Sequence, residues 1–148
     1  MSQQLPIAYV NIRFCAHATE DPDKVMKAVQ NILPNDQFEE ITFKKNILEG
    51  HYGNPITFFE TKITDKKTLK ALIEKLSSNL SSTDKEELGR NLHLCAEKES
   101  IYLRLDKQAA LQGKIKLVKA DPIRMHIRFR KPKIENVTSI LKKIGMLT

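Results

Sequence analysis

Basic side chains occupy every second position of one short segment, residues 123–130. Its basic members are Arg124, His126, Arg128 and Arg130, and apolar residues fill the positions between them. Because neighbouring side chains of a β-strand point to opposite faces, a strand here carries a row of cations on one face, about 6–7 Å apart. Guanidinium groups at this spacing suit bidentate contacts with successive phosphates. The pattern therefore favours contact with a polyanion such as nucleic acid.

The charge of the chain is segregated along its length. Residues 1–99 contribute −2 to the net charge of +7, whereas residues 100–148 contribute +9, from 12 Lys and Arg against 3 Asp and Glu. A solvated basic surface is the alternative, but solubility alone does not require segregated charge. The predicted phosphate ligands come from this basic part and from the first strand. They are Arg13, Arg104, Lys107, Lys114, Lys116, Arg124, Arg128, Arg130 and Lys131.

The segment 50–54 contains two glycines, which expose backbone N–H groups that can bind a phosphate. Its polar side chains include His51 and Tyr52. The segment lacks the Lys-Ser/Thr pair that follows the second glycine of a P-loop, so a tight hairpin turn is favoured over NTP binding. As a contact loop for nucleic acid, both interpretations stay open, and His51 and Tyr52 are candidate contact residues.

Histidine and acidic side chains after the first strand are the candidates for a metal site or a catalytic site. His17, Glu20, Asp21 and His51 are candidate metal ligands if they meet at one end of the sheet. Their spacing matches no ligand pattern, and Glu20 with Asp21 is explained by the start of a helix. Cys15 has no group that would orient a base beside it. We therefore predict no enzyme, no catalytic residue, no metal and no cofactor.

Hydrophobic periodicity and capping residues predict the order β-α-β-β-α-α-β-β-β-α. Strands are expected near 8–16, 38–48, 56–63, 101–105, 114–117 and 123–130. Helices are expected after Asp21 and Asp65, at a capping box of Thr83 and Glu86, and near the C-terminus, with a short helical connector after Asp106. This order predicts an α+β domain with helices packed on one face of a mostly antiparallel sheet.

The other face of such a sheet stays open to solvent. We expect the outward residues of the first and last strands to meet there. These residues are Arg13, His17, Arg124, Arg128 and Arg130.

The length of 148 residues fits one domain, residues 1–148. No apolar run approaches the roughly 20 residues of a membrane span, and the first residues lack the features of a signal peptide. We therefore expect a cytoplasmic protein without membrane contact. Cys15 and Cys95 stand far apart, which excludes a zinc ribbon or redox motif based on C-x-x-C.

Four ordered segments resemble an archaeal family of predicted RNA-binding proteins, often described as predicted exosome subunits. They are His17-Ala18-Thr19-Glu20-Asp21, the segment 48–56, the segment 102–110, and Asp121-Pro122-Ile123-Arg124 with the basic strand. The resemblance implies a fold like that of the ribosomal protein bound to 5S RNA in the large subunit. It also implies RNA as the polyanion, and an RNA-processing assembly or the ribosome as a partner.

Aromatic residues bear on the kind of RNA, because proteins that bind single strands stack bases on aromatic side chains. They make up 6% of the chain, and the stacking candidates are Tyr9, Tyr52 and Tyr102. We therefore expect backbone and shape recognition of structured or double-stranded RNA, with little base stacking. The alternative function is an adaptor that docks an acidic protein on the same basic face. The sequence does not determine the oligomeric state.

Overall fold

The computed structural model describes residues 7–34, 41–50, 53–97, 100–130 and 137–146. Its strands form one sheet in the order β2-β3-β1-β6-β5-β4, and every neighbouring pair is antiparallel. The strands are β1 (Ile7–Ala16), β2 (Lys44–Glu49), β3 (Pro55–Ile63), β4 (Ala96–Glu97), β5 (Ser100–Leu105) and β6 (Ile123–Phe129). The first and last strands are therefore neighbours at the centre of the sheet.

Aspartates begin three of the helices, as predicted. The side chains of Asp21, Asp65 and Asp106 each accept a hydrogen bond from a backbone N–H in the first turn that follows. The helices are α1 (Pro22–Ile32), α2 (Lys66–Asn79), α3 (Ser82–Arg90), α4 (Leu92–Cys95), α5 (Lys107–Leu111) and α6 (Val137–Lys143). None of the helices in the described ranges is long and apolar enough to cross a membrane.

The core lies on one side of the sheet. Alternate residues of the central strands, such as Ile12 of β1 and Met125 of β6, are fully buried and pack in one cluster with apolar residues of the helices. The residues between them in these strands are exposed or half-buried. The predicted α+β architecture, with helices on one face, is confirmed.

The segment 114–117 is not the strand that alternation predicted. Leu117 forms one isolated bridge with Leu105, and the N–H of Val118 donates to the Arg104 carbonyl at 2.9 Å. The N–H of Lys114 instead donates to the Ala109 carbonyl of α5, at 2.8 Å. Because the backbone at 114 is held by the helix, the segment follows the edge of β5 too briefly to form a ladder.

Two other boundaries differ from the prediction. Helix α3 begins two residues earlier than the proposed capping box, because Ser81 is the N-cap and its hydroxyl accepts from the Asp84 N–H at 3.0 Å. Strand β2 begins at Lys44, and residues 38–40 of the expected strand 38–48 lie outside the described residues.

Candidate nucleic-acid interface

Three arginines stand side by side across the open face of the sheet. Arg13 of β1 lies directly opposite Arg124 of β6, which lies directly opposite Arg104 of β5. Adjacent strands are about 4.8 Å apart, so the three side chains start within about 10 Å of one another. All three residues are exposed. We call Arg13, Arg124 and Arg104 the arginine row.

One carboxylate lies at the β3 end of the arginine row. Glu60 is opposite Arg13, and its Oε2 accepts hydrogen bonds of 3.0 Å from Asn11 Nδ2 and from Arg13 Nε. These two bonds, led by that from Asn11, hold the pKa of Glu60 below its ordinary value. Within the described ranges, no carboxylate pairs with Arg124 or Arg104. Like charges directly opposite each other repel, so the row is compensated at one end only.

An aromatic pair lies beside the arginine row, two residues along the strands. Tyr102 of β5 is opposite His126 of β6, and their rings are stacked with centroids 4.5 Å apart and planes 6° apart. The Tyr9 ring meets His126 edge-on at 5.7 Å, and Lys62 Nζ lies 4.3 Å from the centre of the Tyr9 ring. Sequence reasoning listed Tyr9 and Tyr102 separately, since only the strand register reveals that they flank one histidine.

The predicted arginines of β6 lie on this same face. Arg128 is exposed and lies opposite Tyr9 and Ser100. Arg130 follows the end of β6, is exposed, and its Nε donates to the Ile7 carbonyl at 3.4 Å. Both are therefore placed to extend the arginine row along β6.

The lysines predicted as phosphate ligands differ in where the structure places them. Lys114 and Lys116 are exposed in the connector between α5 and β6. Lys119, which the sequence analysis missed, is exposed in the same connector and lines a cavity with Arg13, Arg104 and Arg124. Its only sequence signal is its place in a run of lysines two to three residues apart. The predicted residues Lys131, His51 and Tyr52 lie outside the described residues.

Lys107 does not lie on the open face, which corrects its prediction as a phosphate ligand. Its side chain is only 10% exposed, and Nζ donates to the Cys15 carbonyl at 2.6 Å. Nζ also lies 3.2 Å from a Glu20 oxygen and 3.0 and 3.1 Å from the two Asp121 oxygens. The ammonium group of this first residue of α5 therefore lies against the end of β1.

Of the metal ligands considered from sequence, the described His17 and Glu20 lie close together, with Nε2 and Oε1 3.9 Å apart. The Asp21 carboxylate caps α1, at 2.9 Å from the Asp23 N–H, and His51 lies outside the described residues. His17 Nε2 also lies 3.0 Å from Asp121 Oδ1 and 3.8 Å from Cys15 Sγ. These three donors, all within 4.8 Å of one another, are of the types that bind zinc.

Lys107 already supplies a cation to this group. Burial alone would raise the pKa of Asp121, but hydrogen bonds from His17 and Lys107, with the Lys107 charge, outweigh it and hold that pKa below its ordinary value. Burial raises the pKa of the Cys15 thiol, and the Lys107 charge opposes this only in part. A protonated thiol is a poor ligand and nucleophile, so the arrangement suits an ionic bridge between β1 and the turn before β6.

The chain is similar in sequence to archaeal proteins. The model of a family described as RNA binding matches residues 9–129. The chain is 30% identical over 132 residues to the RNA-binding protein PAB1135 of Pyrococcus abyssi, which covers 88% of this chain and 85% of that protein. It is 32% identical over 117 residues to uncharacterized protein MJ0213 of Methanocaldococcus jannaschii. The aligned residues cover 77% of this chain and 78% of that protein.

A solved structure shows the same fold. The crystal structure of protein AF2318 from Archaeglobus fulgidus, assigned to family DUF54, has a TM-score of 0.77 and 27% identity, and the match covers 93% of this chain and 99% of that one. The family match runs from β1 to the last residue of β6, so it includes the arginine row and the stacked pair. The chain therefore belongs to the RNA-binding family.

Proposed function

We propose that this protein binds structured RNA through the open face of its sheet and catalyses no reaction on it. The arginine row, extended along β6 by Arg128 and Arg130, carries this proposal. Arginine offers planar, bidentate hydrogen bonds to phosphate, and phosphate contacts supply most of the affinity of proteins that recognise shape. The family match supports RNA as the nucleic acid.

The arginines extend in two directions, which favours a folded or double-stranded RNA. Across the strands, Arg13, Arg124 and Arg104 follow the strand spacing of about 4.8 Å. Along β6, Arg124 and Arg128 are four residues apart, about 13 Å. A single extended backbone would follow one of these directions. A helical RNA presents phosphates of two strands to a broad surface, which matches an array that extends both ways.

The chemistry available on the described part of the chain supports binding without catalysis. The Asp121 carboxylate is paired with the Lys107 ammonium, and burial raises the pKa of the Cys15 thiol, so neither group is poised as a base or a nucleophile. From the family resemblance we propose RNA processing, in the exosome, or the ribosome as the setting of this binding.

A charge-matched pair of triple variants tests the proposal. Arg13→Gln, Arg104→Gln and Arg124→Gln together remove the arginine row, whereas Lys66→Gln, Lys67→Gln and Lys70→Gln remove three exposed charges from the helical side. Affinity for an RNA hairpin with a fully paired stem is measured over a series of salt concentrations. The slope of log affinity against log salt should decrease by roughly one unit per lost phosphate contact in the first variant only.

Two results would contradict the proposal. One is the absence of binding to hairpin RNA at moderate salt, and the other is an equal salt slope in both triple variants. Binding of an acidic polypeptide such as polyglutamate, with no binding of any RNA, would favour the adaptor function instead. Single-stranded RNA and duplex DNA serve as competitors, and equal affinity for single strands would refute the preference for structured RNA.

A further inference from the structure

Tyr102 presents one face of its ring toward the edge of the sheet. Its ring is parallel to that of His126 at 4.5 Å, close to the spacing of the strands that carry them. His126 therefore covers the ring face that looks toward β6, and the opposite face looks away from β6. Tyr102 is nevertheless 41% exposed, so part of its ring remains accessible to solvent.

The edge of β5 is open beside this ring. Strand β4 pairs with Ser100 and Ile101, and the connector after α5 rejoins the edge at Arg104, where the Val118 N–H donates at 2.9 Å. Between these two contacts lies a cavity of about 450 Å³. Its polar and aromatic lining comes from β5, the connector, and α3 with its C-cap: Tyr102, Arg104, Lys119, Glu87 and Asn91. We call this the edge cavity.

A second cavity adjoins the arginine row and shares Tyr102 and Arg104 with the edge cavity. It has a volume of about 490 Å³ and lies between the row and the stacked pair. Tyr102 and Arg104 line both cavities, and Arg13 and Arg124 line the second. The same cavity therefore adjoins both the arginine row and the ring of Tyr102, so a negatively charged chain bound to the row would also reach that ring.

We propose that the edge cavity binds one unpaired nucleotide of the RNA, with its base stacked on Tyr102. The proposal rests on the proposed function, and it names the RNA class as a stem that carries a bulge or an overhang. Paired bases are already stacked within a duplex, so only an unpaired base can lie against a protein ring. The cavity lies within the size range of small-ligand sites.

The remaining lining residues suit the other parts of a nucleotide. Arg104 and Lys119 supply positive charge for the flanking phosphates. Glu87 of α3 and Asn91, which caps the end of this helix, supply polar groups for the base edge, and Asn91 Nδ2 donates a hydrogen bond of 3.1 Å to the Glu87 carbonyl. The proposal adds one stacked base to the backbone and shape recognition expected from the sequence.

Two hairpins with identical stems test this proposal, one fully paired and one with a single bulged 2-aminopurine. The fluorescence of 2-aminopurine falls when it stacks. Wild-type protein should bind the bulged hairpin more tightly and quench it. Tyr102→Ala should lower affinity for the bulged hairpin by about 5- to 100-fold, and leave affinity for the paired hairpin within about twofold. Tyr102→Phe should retain the preference.

Phe58→Ala is the matched control, because Phe58 is also 41% exposed and also lies on the open face, but on β3. It should retain both the preference and the quenching. Equal affinity of the wild type for the two hairpins, or a preference that survives Tyr102→Ala, overturns the proposal while the proposed function stands. If neither hairpin binds, the proposed function fails and this inference fails with it.

Discussion

Replacement of Lys107 by methionine tests whether this lysine is a structural residue. Methionine keeps a long unbranched side chain and removes only the ammonium group. In the folded protein that group donates to the Cys15 carbonyl and bridges the carboxylates of Glu20 and Asp121. The variant therefore leaves one carbonyl oxygen without its donor and two carboxylates without their shared cation.

The expected loss of stability follows from the burial of these groups. Breaking a fully buried ion pair costs about 3–5 kcal/mol, because one charge is left without compensation. The side chains of Glu20 and Asp121 are 29% and 45% exposed, so water replaces part of the lost interaction. We therefore expect the free energy of unfolding to fall by about 2–3 kcal/mol. For a domain of this size the Tm then falls by about 4–12 °C.

The loss of stability is measured by thermal and urea unfolding at neutral pH, with circular dichroism as the signal. Lys116→Met is the matched control, because it makes the same replacement at an exposed lysine nine residues along, and it should change stability by less than about 0.5 kcal/mol. An unfolding midpoint of Lys107→Met equal to that of the control would refute the structural role. So would a fully stable Lys107→Met protein whose salt slope for RNA falls by one unit, as a lost phosphate ligand requires.

Two further predictions concern carboxylates. Asp121 has a lowered pKa in the folded state, so its stabilising effect is present above the unfolded pKa of about 3.9 and is lost as the pH falls through the folded value. Asp121→Asn should therefore be less stable than wild type at neutral pH, by a margin that shrinks below about pH 4 in urea unfolding; a constant margin would contradict this. Glu60→Gln removes the negative charge paired with Arg13 and should raise hairpin RNA affinity by up to about fivefold at low salt, whereas an unchanged affinity would show that Glu60 does not oppose phosphate binding.

The features that sequence predicted correctly depend on neighbouring residues. Two-residue alternation placed Arg124 and Arg128 on one face of β6, because that periodicity is a property of any strand. The caps at Asp21 and Asp65 were also predictable, since each bond joins residues two or three positions apart. Both kinds of feature depend only on residues that are close together in the sequence.

The features that sequence missed depend on distant residues. Lys107 donates to a carbonyl 92 positions earlier in the chain, so its position after an N-cap gave no sign of burial. Alternation predicted that Arg13 and Arg124 share the open face. The direct opposition of Arg13, Arg124 and Arg104 depends on the register of two strand pairs, and a shift by one residue would send one arginine to the other face. The stacked pair of Tyr102 and His126 depends on the same register.

The two ends of the arginine row differ in their neighbouring charges, so the two ends should attract phosphate unequally. At the β3 end, Arg13 is paired with Glu60, whose negative charge repels phosphate. At the β5 end, Arg104 adjoins the cavity lined by Lys119 and Tyr102. The three opposed cations repel one another in the free protein, and bound phosphates would relieve that repulsion most at Arg124 and Arg104. Under the proposed function, we therefore expect phosphates to lie closer to Arg124 and Arg104 than to Arg13.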